Sequence, residues 1–337
     1  MPELNRQIFL RERPVGKLDA DHFELREEVI PEPADGEVLV RNLYLSLDAA
    51  NRAWMQGKTY KEPVLPGDVM HGYTLGQVVS SNSDRFEAGE LVEGQGNWQE
   101  YSVLPARQLA KVKPLGPLSH QLSVLGITGL TAYFGLLRVG EPKEGETVVV
   151  SAAAGAVGNV VGQIGKIKGC HVVGITGSDE KCKWLTDELG FDAAINYKSE
   201  NVFKALKKSC PDGIDVYFDN VGGEILGNAL FQMNQHGRVA CCGAVSQYDR
   251  GEPEPSPPGL PGLLVMNRIK MEGFIVMDYF AERQQACDEI SQWVKDGHVK
   301  IKEDVIDGLE NAPAALVGLL NGENYGKRMI RIADPSG

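Results

Sequence analysis

Cysteine is missing from the first 169 residues, and the six that follow (Cys170, Cys182, Cys210, Cys241, Cys242 and Cys287) contain no CxxC pair. That spacing excludes a disulfide framework and a four-cysteine zinc lobe. A catalytic zinc needs three protein ligands and an open position. His71 is isolated in MHGYTLG and has no sulfur partners in its half of the chain, so it reads as a structural or surface histidine. None of the ten tyrosines is followed four residues on by lysine, which removes the Tyr/Lys acid pair of another common dinucleotide-dependent architecture. Long apolar runs are also lacking. The uncharged stretch from Val148 to Gly165 is interrupted by four glycines, Ser151, Asn159 and Gln163, which argues against a membrane span. The start, MPELNRQIFLRERP, has no apolar signal core, and we expect a cytoplasmic protein. With 34 basic against 46 acidic side chains the formal net charge is −12, which disfavours nucleic acid and anionic membranes as general partners.

What is present centres on Glu146 to Lys181. Thr147 to Ser151 is a run of β-branched residues without polar alternation, as expected of a parallel strand covered on both faces. A turn follows in which Ala152, Gly155 and Gly158 give AxxGxxG in place of GxGxxG. Gly155 lets backbone N–H groups approach a pyrophosphate, and Gly158 lets the next helix sit close to the strand. Val157, Val160, Val161, Ile164 and Ile167 then recur at helical spacing. Strand, glycine turn, helix and second strand make a dinucleotide-binding βαβ unit. A NAD site carries an acid about 20 residues after the glycines. Here Thr176, Gly177 and Ser178 stand there, with Lys181 a turn later, so NADP is the better reading. Asp179 and Glu180 fit a helix first turn capped by Ser178.

Before this unit, up to about Leu125, short strands alternate with Gly, Pro, Asn and Asp turns, which predicts a mostly antiparallel β-barrel domain. After it the α/β rhythm continues through six strands, the content of a Rossmann sheet. The expected helices include 122–137, 179–189 (burying Cys182, Leu185 and Leu189) and 281–296, and expected strands include GRVACCGAV and VKIKEDVI. The class is therefore α/β: a doubly wound parallel sheet over 126–299, and a barrel domain over 1–125 completed by 300–337. The proline-rich stretch 251–262 reads as a stiff surface loop or as a lid of the substrate pocket. Without zinc or a proton relay, the chemistry that fits is hydride addition to an alkene conjugated to a carbonyl, whose enolate needs only a hydrogen-bond donor.

The segments YLSLD at 44–48, GLTAYFGL at 129–136, AAAGAVG at 152–158, GSDEK at 177–181, FDAAINYK at 191–198, FDNVGG at 218–223, CGAVSQY at 242–248, GFIV at 273–276 and GLENAPAALVGLLNGENYGK at 308–327 carry a resemblance. The chain is similar to the zinc-independent medium-chain dehydrogenases/reductases, in particular the NADPH-dependent double-bond reductases, whose barrel domain is GroES-like. That resemblance implies that Gly155, Ala156, Val157 and Gly158 hold the pyrophosphate of NADPH, with Ser178, Lys181 and Tyr197 at the 2′-phosphate end. Asn220, Cys242, Gly243, Ala244, Ser246, Phe274, Ile275, Val276 and Asn324 would line the nicotinamide half. Tyr248 falls on a family tyrosine that contacts the nicotinamide ribose and the substrate carbonyl, and is the candidate for stabilising the enolate. Where the family often reads SLDPYMR this chain reads SLDAANR, so Ala49 and Ala50 replace proline and a pocket tyrosine. Ala50, Trp54 and Tyr248 are the candidate pocket residues, the partner a small enone or enal, and a homodimer is expected from the resemblance. A quinone reductase of the same superfamily and a non-catalytic, crystallin-like NADPH-binding protein are the alternatives.

Overall fold

The structure, a computed structural model, describes residues 4–57, 59–250, 257 and 259–336. It divides into two compact units, one of Met1–Leu122, Glu303–Asn324 and Arg328–Gly337, the other of Ser123–Lys302 and Tyr325–Lys327. No helix among the described residues is long and apolar enough to cross a membrane. Residues 251–256 and 258, most of the expected lid or loop, lie outside the described residues.

The first unit is mostly antiparallel. Glu37–Ser46 is its central strand and pairs antiparallel with Thr74–Ser81, Tyr101–Pro105 and Lys327–Arg331. Leu4–Leu10 and Phe23–Val29 form a separate antiparallel pair. Its core gathers around Trp98, fully buried and stacked on Phe23 at 5.4 Å. The expected strand VKIKEDVI is shorter, Glu303–Asp307, and Ala312–Leu320 is helical as the sequence predicts.

The second unit is a six-stranded parallel sheet. Its strands are β1 Thr147–Ser151, β2 His171–Thr176, β3 Ala193–Asn196, β4 Ile214–Asp219, β5 Met233–Cys241 and β6 Lys270–Gly273, in the spatial order 3-2-1-4-5-6. That order is the doubly wound one, with its reversal between β1 and β4. The apolar run of β1 now has a cause. Val148 and Val150 enter one core with Val172 and Phe218, while Val149 enters the other with Val173 and Tyr217. Both faces being covered, neither set of positions is polar.

Some elements differ from the sequence expectation. The helix expected over 122–137 is α-helical over Ile127–Phe134 and continues as a π-helix over Gly135–Gly140. In the helix Asp179–Asp187 the buried positions are Lys181, Trp184 and Leu185; Cys182 is only half-buried. The helix expected at 281–296 is Arg283–Lys295, preceded by a 3-10 turn over Val276–Glu282. β5 starts four residues before Gly237, at Met233, because an irregularity in its pairing with β4 absorbs His236, whose φ is +64°. Residues 325–327 belong to the second unit: the Gly326 N–H donates to the Ala154 carbonyl at 2.9 Å and the Lys327 N–H to that of Lys302 at 3.0 Å.

Candidate functional site

The parallel sheet sets the carboxyl ends of its strands along one edge, and the sequence-predicted cofactor residues of the second unit lie on the segments that leave those ends. At the end of β1, Ala152 takes a left-handed backbone, φ +48°. Its carbonyl accepts from the Gly155 N–H at 2.9 Å. A Cβ on Gly158 would lie 2.4 Å from that same carbonyl oxygen and 2.8 Å from Ala153 Cα, so only glycine lets the helix Gly158–Ile167 sit this close. Val157 precedes this helix without a side-chain cap, and its first turn holds no acid. Uncapped N–H groups at a positive dipole end suit a pyrophosphate. The next helix is different. Ser178 Oγ accepts from the Lys181 N–H at 3.2 Å, and Asp179 and Glu180 fill the first turn.

At the end of β2 the acid of a NAD site is absent, and Asp179 is engaged by Asn196 Nδ2 at 2.6 Å. Tyr197 lies against Gly177: a Cβ there would be 3.1 Å from its ring and 3.3 Å from its hydroxyl. Lys198 reaches the same spot, its Cε 3.3 Å from that Cβ position. Lys181 is buried instead, its ammonium 5.1 Å from the ring centroid of Tyr325, which in turn meets Trp184 edge-on. Lys198 is thus an exposed positive group beside Gly177 that the sequence does not distinguish, since it immediately follows Tyr197 and resembles any surface lysine.

Around β4 the loop is tied down by Asp219, another residue that sequence alone does not mark. Its Oδ1 accepts from Ser151 Oγ and the Tyr217 hydroxyl, both at 3.2 Å, and from the N–H groups of Val221 and Gly222 at 3.1 and 3.0 Å. Burial raises its carboxyl above the ordinary value, while these donors pull the other way. Asn220 donates from Nδ2 to the Ser151 carbonyl at 2.8 Å, which joins β4 to β1. The segment carrying Cys242, Gly243, Ala244 and Ser246 folds back on this loop: the Cys242 and Gly243 N–H groups donate to the Asp219 carbonyl, and Ser246 Oγ to that of Val221 at 2.7 Å. It ends in the short helix Val245–Tyr248, where the Tyr248 hydroxyl accepts from the Ala244 N–H at 3.4 Å. Burial raises the Tyr248 phenol, and pushes the Cys241 and Cys242 thiols up to about 12, which leaves both cysteines as inert packing residues. Phe274 meets Phe218 edge-on at 6.1 Å and occupies the space that Gly135 leaves open; Ile275 precedes the 3-10 turn and Val276 is buried.

The remaining predicted residues belong to the first unit. Ala50 and Trp54 begin and end the single-turn helix Ala50–Trp54, which Asn51 ties to the His71 carbonyl at 3.0 Å. Burial lowers the His71 imidazole, with the Lys61 charge adding to it. Asn324 is buried in this unit as well.

Comparison with known proteins extends over the whole chain. Residues 6–112 match the family described as the N-terminal domain of oxidoreductase, and 156–292 match the one described as zinc-binding dehydrogenase. The NADPH-dependent curcumin reductase of Escherichia coli is 44% identical over 336 residues, covering 98% of this chain and 97% of that one. The NADP(+)-dependent 2-alkenal reductase of Nicotiana tabacum is 42% identical over 340 residues, 98% of each. The crystal structure of CurA from Vibrio vulnificus in complex with NADPH superposes with a TM-score of 0.93 at 43% identity, over 98% of this chain and 100% of that chain. The zinc in the second description finds no donor set here: among the described residues no group of three or more His, Cys, Asp or Glu side chains could hold a metal ion.

Proposed function

We infer the reaction from one premise, that the chain belongs to the NADPH-dependent double-bond reductase group of the medium-chain dehydrogenases/reductases: it reduces the carbon–carbon double bond of α,β-unsaturated ketones and aldehydes. The observation that carries this reading is the full-length likeness to an NADPH-dependent curcumin reductase and to CurA solved with NADPH. When bound, NADPH supplies a hydride that adds to the β-carbon, and the π pair moves onto the carbonyl oxygen as an enolate. Zinc takes no part in the proposal, because the donor set does not suit it.

The roles of individual residues are part of the same proposal. The turn from Gly155 to Gly158 binds the pyrophosphate at an uncapped helix end: Gly155, whose own N–H is held by Ala152, gives the ligand room, and the N–H groups of Ala156, Val157 and Gly158 donate. Ser178, Lys181 and Tyr197 hold the 2′-phosphate end, joined by Lys198, whose side chain lies against Gly177. Asn220, Cys242, Gly243, Ala244, Ser246, Phe274, Ile275 and Val276 surround the nicotinamide half, the first five on segments tied down at Asp219. The Tyr248 hydroxyl, which accepts from Ala244, still has its own hydrogen to donate to the substrate oxygen. Water then protonates the α-carbon. Ala50 and Trp54 form pocket wall.

A cytoplasmic homodimer completes the reading. β6 ends the order of the described sheet, and Val265, Met266, Met277 and Phe280 near it in sequence are exposed apolar side chains of the kind a second copy covers. Light scattering on the purified protein checks the dimer.

The deciding experiment follows NADPH consumption with a medium-chain enone, an enal, curcumin, a quinone and a saturated ketone, with NADH in parallel. Consumption with the enones and enal but not the saturated ketone, and with NADPH well ahead of NADH, is the expected result. NADPH binding without turnover on any acceptor would sink the reading. Tyr248→Phe is expected to lower kcat about tenfold or more, as for loss of one donor to a developing oxyanion; unchanged kcat across several enones removes Tyr248 from the mechanism.

A further inference from the structure

Three residues from the far end of the chain return to the cofactor turn of the second unit, and the reaction above assigns them no task. The Gly326 N–H donates to the Ala154 carbonyl at 2.9 Å, and Gly155 and Gly326 form a parallel bridge. On its other side the segment is tied to residues 300–302: the Lys327 N–H donates to the Lys302 carbonyl at 3.0 Å. Gln163, on the helix Gly158–Ile167, holds Lys300 in turn, its Nε2 donating to the Lys300 carbonyl at 3.1 Å and its Oε1 accepting from the Lys300 N–H at 2.7 Å. Gly326 has φ +63°, and a Cβ there would lie 2.0 Å from the Lys302 carbonyl oxygen, so only glycine closes this contact. The backbone next to Tyr325 is thereby fixed against the turn assigned to the pyrophosphate.

The Tyr325 side chain reaches a different part of the same unit. Its ring meets Trp184 edge-on, with 5.7 Å between centroids, and the Lys181 ammonium stands 5.1 Å from its centroid. Lys181 and Trp184 are three residues apart on the helix Asp179–Asp187 and share a face, and Lys181 is only 7% exposed. A lysine stem is flexible, so a point charge on it must be held if it is to read one position. A carboxylate would hold the ammonium by neutralising it. A ring face holds it through the quadrupole and leaves its charge whole, still able to attract a phosphate. Segment 325–327 therefore serves both phosphate-binding parts of the unit, the turn through its backbone and Lys181 through its ring.

Resting on the NADPH reading, we propose that Tyr325 is a positioning residue for cofactor choice: its ring, anchored beside the pyrophosphate turn, holds the Lys181 ammonium near the carboxyl end of β2, where the 2′-phosphate distinguishes NADPH from NADH. It acts through Lys181. Part of the preference for NADPH is thus set by a residue 144 positions further along the chain than the lysine that expresses it.

The test is cofactor binding to the full-length protein, read by fluorescence titration with NADPH and with NADH at low salt and without any enone. Tyr325→Phe keeps the ring face. Tyr325→Leu removes it, and Tyr325→pentafluorophenylalanine keeps the ring shape while inverting its quadrupole, so the test does not depend on the leucine variant folding. Lys181→Met removes the charge and keeps the stem. Thermal melts identify the variants that fold like the wild type. Tyr325→Phe should bind both cofactors within about twofold of the wild type, whereas the leucine and fluorinated variants should weaken NADPH by about three- to tenfold and NADH by less than about twofold. In a Lys181→Met background, which itself loses NADPH selectively, the same changes at Tyr325 should cost no further preference for NADPH, because the ring acts through the lysine. A folded leucine or fluorinated variant that keeps the wild-type ratio of NADPH to NADH affinity overturns the proposal. So does one that weakens both cofactors equally, or one whose effect adds in full to that of Lys181→Met. A wild type that binds NADPH no more tightly than NADH overturns the cofactor reading, and the role of Tyr325 with it.

Discussion

Gly158→Ala is the sharpest perturbation of the cofactor turn, because the three nearest atoms that the new methyl group would meet belong to the backbone. The methyl would sit 2.4 Å from the Ala152 carbonyl oxygen, 2.8 Å from Ala153 Cα and 3.0 Å from the Ala152 carbonyl carbon, where ordinary contact begins at 3.4 Å. No side chain can swing aside, so the helix Gly158–Ile167 must back away from β1 by about 1 Å. Overpacking of this kind costs about 1–3 kcal/mol. In a domain of this size each kcal/mol lowers Tm by about 2–4 °C. The same shift carries the uncapped N-terminus away from the phosphates, which should weaken NADPH by about tenfold. Gly155→Ala is the matched control. Its methyl would meet only the Ala152 carbonyl oxygen, at 3.2 Å, which a shift of a few tenths of an ångström relieves. It should therefore melt close to the wild type yet still obstruct the approach of the pyrophosphate. Thermal melts of the cofactor-free proteins and NADPH titration by fluorescence separate the two effects. If Gly158→Ala melts with the wild type, or Gly155→Ala is the less stable of the pair, the steric argument is refuted.

Other outcomes follow from the same geometry. Asp219 has its folded-state carboxyl raised by burial, so the stability tied to its neutral form is complete below the ordinary value of 3.8 and is lost as pH rises through the raised one. Urea midpoints of the wild type should accordingly fall relative to those of Asp219→Asn across that window; parallel curves would contradict the assignment. Lys198→Ala and Lys181→Ala should each weaken NADPH more than NADH, by about three- to tenfold at low salt, and a variant that weakens both cofactors equally does not contact the 2′-phosphate. Burial pushes the thiols of Cys210, Cys241 and Cys242 up to about 12 and those of Cys170 and Cys182 to about 11. Alkylation at pH 8, followed by mass spectrometry, should therefore be slow at these five until the protein is unfolded.

The legible parts of this chain are those whose cause lies within a few residues. Thr147–Ser151 reads as a doubly covered strand because its own side chains feed both cores. Ser178 reads as a helix cap because its partner is Lys181, three residues away. The illegible parts have distant causes. Lys181 occupies the buried stripe of its helix because Tyr325, from the far end of the chain, offers the ammonium an aromatic face; nothing nearby in sequence announces that, so Cys182 is the apparent core residue. Residues 325–327 join the second unit through two backbone hydrogen bonds, which no residue type encodes. Asp219 looks like a turn residue until four donors from three segments converge on one of its oxygens.

The cofactor turn contains both kinds of information at once. In sequence Gly155 and Gly158 are equivalent letters of one spacing pattern, and the alanine at 152 counts as a defect in it. In the structure that alanine organises the turn. Its left-handed backbone, a conformation that costs about 1–2 kcal/mol for a residue with a Cβ, leaves its carbonyl as the nearest atom to a methyl at either glycine. The clash is slight at 155 and prohibitive at 158. In the proposed site the glycine nearer the strand serves the approach of a ligand, while the farther one serves the approach of the helix, a division of labour that depends on one backbone angle at Ala152.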